Sequence, residues 1–252
     1  MRASSLFRWL GFTCITLPTA VLAVEAPNAW SGAQQMIVVT TDDWNAEHGT
    51  LRTYVRDAGA WKETGSAADV TIGKNGSAWG IGLNPTQNDG PQKHEGDNRS
   101  PAGVFRIGEA FGYARSHATA MPYVGLTASD YCMDVDGSPY YNRLVDADKV
   151  GRKAVEGSTE PMRRDLHLNG DGLYRMGFVI EHNPDGRRGG GSCIFAHLWR
   201  SPTSTTAGCT AMTDTTMERL LAWLDPKKKP VFVLLPKNEY ARLRDAWRLP
   251  SP

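Results

Sequence analysis

Beyond its first two dozen residues this chain has no apolar run long enough to cross a bilayer, and it has no charge of one sign to spare. Lys and Arg number 28 against 27 Asp and Glu, a formal net charge of +1. The first absence leaves no place for a later membrane anchor. The second argues against nucleic acid as a partner, because neutralising phosphates normally takes a basic excess. The one basic run, Lys227-Lys228-Lys229, falls between a predicted helix and a predicted strand and reads as a solvated turn. Internal repeats and low-complexity tails are missing too. Cysteine is scarce, with 4 in all, and no Cys-x2-Cys or His-x3-His spacing supports a zinc site.

What is present begins with a leader. Arg2 and Arg8 precede the apolar run Leu10 to Ala23, with Val21-Leu22-Ala23 as a small-residue cleavage site, so residues 1–23 read as a secretory signal peptide. Gly11, Thr13, Thr16 and Pro18 dilute the run, and an uncleaved anchor is the competing reading. The residues before Cys14 make a poor lipoprotein acylation signal. The expectation is an exported, periplasmic, soluble monomer whose residues 24–252 suffice for one large domain.

Outside the leader the cysteines are Cys132, Cys193 and Cys209. In an oxidising compartment an odd count means one bridge and one free thiol, with three ways to choose the pair. If Cys209 acts as a thiolate nucleophile, the bridge is Cys132 to Cys193, and a Cys193 to Cys209 bridge would block that chemistry.

Short β-like runs separated by turn residues dominate the first half: Met36 to Thr40, Leu51 to Val55, Ala60 to Lys62, Val70 to Ile72, Trp79 to Ile81 and Gly103 to Ile107. Such regular short strands favour a sandwich or barrel. The segment Gly82 to Pro101 is polar and reads as a surface loop. Strands are predicted again at Tyr174 to His182, Cys193 to Trp199 and Pro230 to Leu235, the first two paired with one another. Met217, Leu220, Leu221 and Leu224 change the period to that of a helix following Cys209, with Thr215 and Glu218 at capping-box spacing, and Glu239 to Leu249 can form a terminal helix.

The chemistry concentrates between His197 and Cys209. A histidine at the end of a strand and a cysteine across the following loop supply a base and a nucleophile. Gly208 permits a backbone geometry other residues resist, amides around Cys209 offer an oxyanion hole, and Thr205, Thr206 and Thr210 offer hydroxyls to orient the imidazole or bind substrate. Taken alone, a Gly-Cys pair is more often structural than catalytic.

His197 followed by Thr206-Ala-Gly208-Cys209-Thr-Ala-Met212 resembles the active-site signature of the L,D-transpeptidase catalytic domain, the YkuD-type family of cell-wall enzymes. The segment Glu95-Gly-Asp97-Asn-Arg-Ser100-Pro-Ala-Gly103-Val-Phe105 is similar to the Glu-Gly-Asp-x-x-Ser/Thr-Pro-x-Gly-x-Phe segment of that family, and Ser138 to Asp146 and Val179 to Asn183 resemble segments of a proteobacterial branch. The resemblance implies a mainly β fold, a mixed β-sandwich or barrel-like domain with a few helices, one directly after the catalytic cysteine. It further implies peptidoglycan stem peptides as substrates, Cys209 as nucleophile, His197 as base and Gly208 in the oxyanion turn, with no cofactor. Ala207 and Ala211 stand where better-known members carry a histidine and an Arg or Asn, so contacts to the stems are sought in Trp199, Arg200, His182, Tyr141, Thr206 and Thr210.

Blander readings stand beside these. His182 and His197 lie in apolar strands, where a hydrogen-bonded core histidine is the default, and Tyr140 and Tyr141 more often pack than bind. Trp199 is as well suited to core as to a pocket wall. Glu95 and Asp97 suit local turn hydrogen bonds as well as they suit a carboxylate site. Papain-like hydrolases place Cys before His, the reverse of this order, and the Thr-Leu-x-Thr-Cys of sortases does not match. A carboxypeptidase or endopeptidase on the same scaffold, or a non-catalytic wall-binding module, remain the alternatives to transpeptidation.

Overall fold

The computed structural model describes residues 28–251; the leader read at residues 1–23 lies outside them. Thirteen strands and four helices follow one another as β1 (Gln35–Thr41), β2 (His48–Asp57), β3 (Ala60–Thr71), β4 (Ser77–Trp79), β5 (Ser100–Gly112), β6 (Tyr123–Gly125), β7 (Asp130–Cys132), β8 (Leu144–Asp146), α1 (Ala147–Val150), β9 (Glu160–Pro161), α2 (Arg164–His167), β10 (Met176–Ile180), β11 (Phe195–Leu198), β12 (Thr210–Met212), α3 (Asp214–Trp223), β13 (Val231–Pro236) and α4 (Lys237–Trp247).

The main sheet is a closed ring. Its order is β10-β11-β12-β3-β2-β1-β13-β5, and β5 pairs with β10 to complete the circuit. Closure leaves these eight strands without free edges, which removes the hazard an open sheet carries. At its centre β1 and β13 run parallel, Met36 opposite Val231 through Thr41 opposite Pro236. Both are near-continuous apolar runs, as strands covered on both faces require. The β2–β3 hairpin turns through Ala58 and Gly59 alone, both at positive φ, the geometry that matches the twist of the flanking strands. Trp247 of α4 packs edge-on to Trp30 at 5.6 Å and to Trp79 at 6.2 Å.

The helix expected after Cys209 is α3, entered through the three-residue strand β12. Its N-cap is Thr213 rather than Thr215, the Thr213 hydroxyl accepting the Thr216 amide at 3.1 Å. Met217, Leu220 and Leu221 are buried on its inner face, and it packs on β10 and β11. Strand β5 is longer than its sequence pattern suggests and takes in Ser100 and Pro101 from the end of the expected loop.

Within the segment 113–173, β6 pairs with β5 of the main sheet, while β7, β8 and β9 form a second, three-stranded sheet in the order β8-β7-β9. This sheet is tied to the barrel by a disulfide between Cys132 at the end of β7 and Cys193 just before β11, with Cα atoms 5.9 Å apart and a separation of 61 positions in sequence. Asn142 reinforces the tie. Its amide donates to the carbonyls of His182 and Asn183 at 2.7 and 2.8 Å, and its Oδ1 accepts the Cys193 amide at 2.8 Å. The chain around β11 is therefore fixed from two directions before it reaches the site.

Candidate functional site

Strands β11 and β12 are parallel neighbours, Ala196 opposite Thr210 and His197 opposite Ala211. Cys209 immediately precedes Thr210, so the pairing brings the end of the Gly208-Cys209 turn alongside the start of β11. Cys209 and His197 line one cleft of about 380 Å³. Cys209 is the free cysteine among the described residues, and the two side chains are nearly enclosed, at 9% and 5% relative exposure.

The turn is held by short, local bonds. The Thr206 hydroxyl donates to the Cys209 carbonyl at 2.7 Å and accepts the Gly208 amide at 3.1 Å, while the Ser100 hydroxyl donates to the same carbonyl at 3.0 Å. Gly208 sits at φ +153°, and a Cβ there would meet the Arg99 carbonyl oxygen at 3.1 Å, so only glycine passes this point without strain.

Cys209 Sγ accepts the Phe195 amide at 3.3 Å and faces the Cys193 carbonyl at 3.5 Å, to which the thiol donates. Burial first, and the Glu160 carboxylate second, push the thiol up to about 12. Burial likewise lowers His197 to about 4. Both shifts favour the uncharged forms, thiol and imidazole, near neutral pH. His197 Nδ1 lies 2.7 Å from the Leu198 carbonyl, which can only accept, so Nδ1 carries the proton and Nε2 presents a lone pair.

A wall of Tyr174, Glu160 and Arg164 supports the imidazole. Tyr174 stands edge-on to His197 with ring centroids 5.2 Å apart, and its hydroxyl donates to Glu160 at 2.8 Å. Arg164 lies over the Tyr174 ring at 5.0 Å and bridges Glu160 and Asp171, each at 3.0 Å. Asp171 also takes Arg200 at 2.6 Å. Nothing in the local sequence marks Glu160, Arg164 or Tyr174 as partners of His197; the Arg163-Arg164-Asp165 charge cluster was the available signal.

Of the residues sought as stem contacts, Arg200 and Thr206 line the cleft. Four do not. Trp199 lines a neighbouring groove with Leu168, Arg175 and Asp214. Thr210 is buried in β12. His182 is a core residue at 1% exposure: its Nδ1 accepts the Ile81 amide at 3.2 Å and its Nε2 donates to the Gly190 carbonyl at 2.9 Å, so both ring nitrogens are spent. Tyr141 is buried behind the wall, its hydroxyl donating to Glu95. Asp97 makes turn bonds, to the amides of His94 at 2.8 Å and Arg99 at 2.9 Å, and pairs with Lys93 at 2.5 Å, whereas Glu95 lines the cleft. Among the described residues no three His, Cys, Asp or Glu side chains converge as metal ligands.

A family model described as the L,D-transpeptidase catalytic domain (YkuD) matches residues 37–233. That span runs from β1 to β13 and contains the whole cleft. Comparison with curated proteins and with solved structures gives no match.

Proposed function

The chain belongs to the L,D-transpeptidase catalytic-domain family, and on that premise we propose that it is a periplasmic peptidoglycan transpeptidase acting through a Cys209 acyl-enzyme. The observation that carries the proposal is that a free Cys209 and a His197 whose Nδ1 is committed to Leu198 line one cleft.

In the first half-reaction the Cys209 thiol proton passes to His197 Nε2 as Sγ bonds to the carbonyl carbon of the stem peptide. With both groups neutral at rest, proton transfer and attack proceed together, without a standing ion pair. Negative charge then develops on the carbonyl oxygen. The Gly208 amide is committed to Thr206, and the Cys209 amide, next to the nucleophile, serves as a backbone donor to that charge. The peptide C–N bond breaks, His197 returns the proton to the departing amine, and a D-amino acid leaves.

Arg200 serves the terminal carboxylate of that leaving residue. Its side chain is 63% exposed at the cleft rim, and Asp171 holds it through one nitrogen, leaving other N–H donors of the fork available. In the second half-reaction an amine resolves the thioester and a cross-link forms.

The test is incubation of the purified protein, and of a Cys209→Ala control, with disaccharide tetrapeptides, followed by mass spectrometry. Dimers that require Cys209 support the transpeptidase. Trimmed monomers alone would assign a hydrolase, and identical products from the control would overturn the acyl-enzyme.

A further inference from the structure

Transpeptidation must choose an amine over water, and an amine on a stem peptide arrives as an ammonium. The ionised groups of the cleft differ in what they have left to offer it. Lys93 is spent on Asp97 at 2.5 Å and on the His94 carbonyl at 2.7 Å. Arg164 and Arg200 are spent, wholly or in part, on Glu160 and Asp171. Both oxygens of Asp134 accept from Thr159. Glu160 is compensated by Arg164 at 3.0 Å.

Glu95 is different. Its Oε2 accepts two hydroxyls from buried residues, Tyr141 and Ser192, the latter at 2.7 Å, and its own amide donates to the Gly189 carbonyl at 2.9 Å. Oε1 has no hydrogen-bond partner, and the carboxylate has no ion-pair partner, among the described residues. The group is thus held by one oxygen on the wall of the nucleophile's cleft, exposed to solvent and without a cation beside it among the described residues. Its place follows the chain: Ser192 adjoins Cys193, whose carbonyl faces Cys209 Sγ at 3.5 Å. Arg200 lies past the opposite end of β11. The carboxylate and the guanidinium thus line the same cleft as the nucleophile and are tied to chain at opposite ends of β11.

We propose that Glu95 seats the acyl acceptor, binding its ammonium on the side of Cys209 away from the departing carboxylate at Arg200. The proposal rests on the transpeptidase reading. The bound ammonium gives up one proton to solvent to become the free amine and attacks the thioester. The C–N bond forms, the C–S bond breaks, and the second proton reaches the sulfur through His197. Tyr141 and Ser192 are positioning residues for the carboxylate.

The experiment measures how the acyl-enzyme partitions between water, methylamine, which is a cation at neutral pH, and hydroxylamine, which is mostly uncharged. In Glu95→Gln, whose amide oxygen can still accept from Tyr141 and Ser192, the methylamine-to-water ratio is expected to fall about tenfold, the range of one charge-assisted contact. The hydroxylamine-to-water ratio should stay within about twofold on the same argument. An equal fall for both acceptors, or no change in either, overturns the assignment. The unsubstituted protein supplies a second measurement: its preference for methylamine should weaken as salt is raised, and a salt-independent preference also overturns it. These ratios are read per acyl-enzyme formed. A protein that forms no Cys209-dependent product overturns the transpeptidase reading itself, a result distinct from a flat partition ratio.

Discussion

Glu160 stands at the far end of a contact chain from the candidate base: its carboxylate accepts the hydroxyl of Tyr174, and the Tyr174 ring abuts His197 edge-on at 5.2 Å. The same carboxylate is the charge that, after burial, holds the Cys209 thiol up. Glu160 therefore fixes the base through a ring and restrains the nucleophile through space. Glu160→Gln keeps an acceptor for Tyr174 and removes the charge. The thiol should then ionise at lower pH, and Cys209 should alkylate with iodoacetamide a few-fold faster at mildly alkaline pH. A profile of alkylation rate against pH that overlays the unsubstituted protein would show that the carboxylate is electrostatically silent.

Activity should depend on pH in a manner set by two neutral partners. His197 is available as a base above about 4, and Cys209 keeps its proton below about 12. The reactive form, thiol with neutral imidazole, therefore spans the neutral range. The acylation rate of Cys209 should be flat there and should fall as acid carries His197 through its folded value. An ion-pair mechanism would instead give a bell, so a bell centred near neutrality in single-turnover acylation counts against the neutral pair.

Gly208→Ala places a methyl 3.1 Å from the Arg99 carbonyl oxygen at a φ of +153°. The backbone must shift, and with it the Cys209 amide proposed as the oxyanion donor. The expected result is a loss of about a hundredfold or more in acylation rate, the scale of one oxyanion donor, with a stability loss of about 1–3 kcal/mol from backbone strain. Thermal melting measured beside acylation separates the two. Equal activity would remove Gly208 from the machinery.

The sequence made some of this legible and hid the rest for physical reasons. The apolar runs of β1 and β13 and the helical spacing of Met217, Leu220 and Leu221 report burial directly, so those elements were found. Periodicity places a helix but not its cap: Thr213 and Thr215 are chemically alike, and the exit of the chain from β12 decides between them. His182 and Tyr141 were sought as binding groups because they are polar residues in recognisable segments. Their direction depends on loops that meet only in three dimensions, through Gly190 for one and Glu95 for the other. Glu160 and Tyr174 carry no local pattern at all, because their value lies in touching His197.

Cutting the link between Cys132 and Cys193 should affect both the small sheet and the site. The bridge spans 61 positions and joins β7 to the residue whose carbonyl faces Cys209. On the chain-entropy model its loss, in Cys132→Ser with Cys193→Ser, costs about 4 kcal/mol. Calorimetry should show the lower melting temperature. Acylation of Cys209 should slow as well, because Cys193 sits at positive φ and loses the cross-link that holds it there. A variant that melts early but acylates at the original rate would make the bridge a stabiliser alone.

His182 and His197 give the last prediction, an acid limit to stability. Both are buried and both are lowered by that burial to about 4, against 6.5 for an exposed histidine. Between these values the unfolded chain binds protons at both positions and the folded chain does not. Stability therefore rises with pH across this window: it is fully present above about 6.5 and drains away as pH falls toward 4. Each histidine contributes at most about 3 kcal/mol to the whole decline. Only His197 is placed in the chemistry, so His182 offers a separate handle. His182→Gln loses one of the two ring contacts, to Ile81 or to Gly190, which lowers stability at neutral pH, yet it removes one titrating group and should flatten the decline between pH 6.5 and 4. Urea titrations at a series of pH values read both effects. A decline as steep in the variant as in the original protein would show that His182 titrates alike in the folded and unfolded chain.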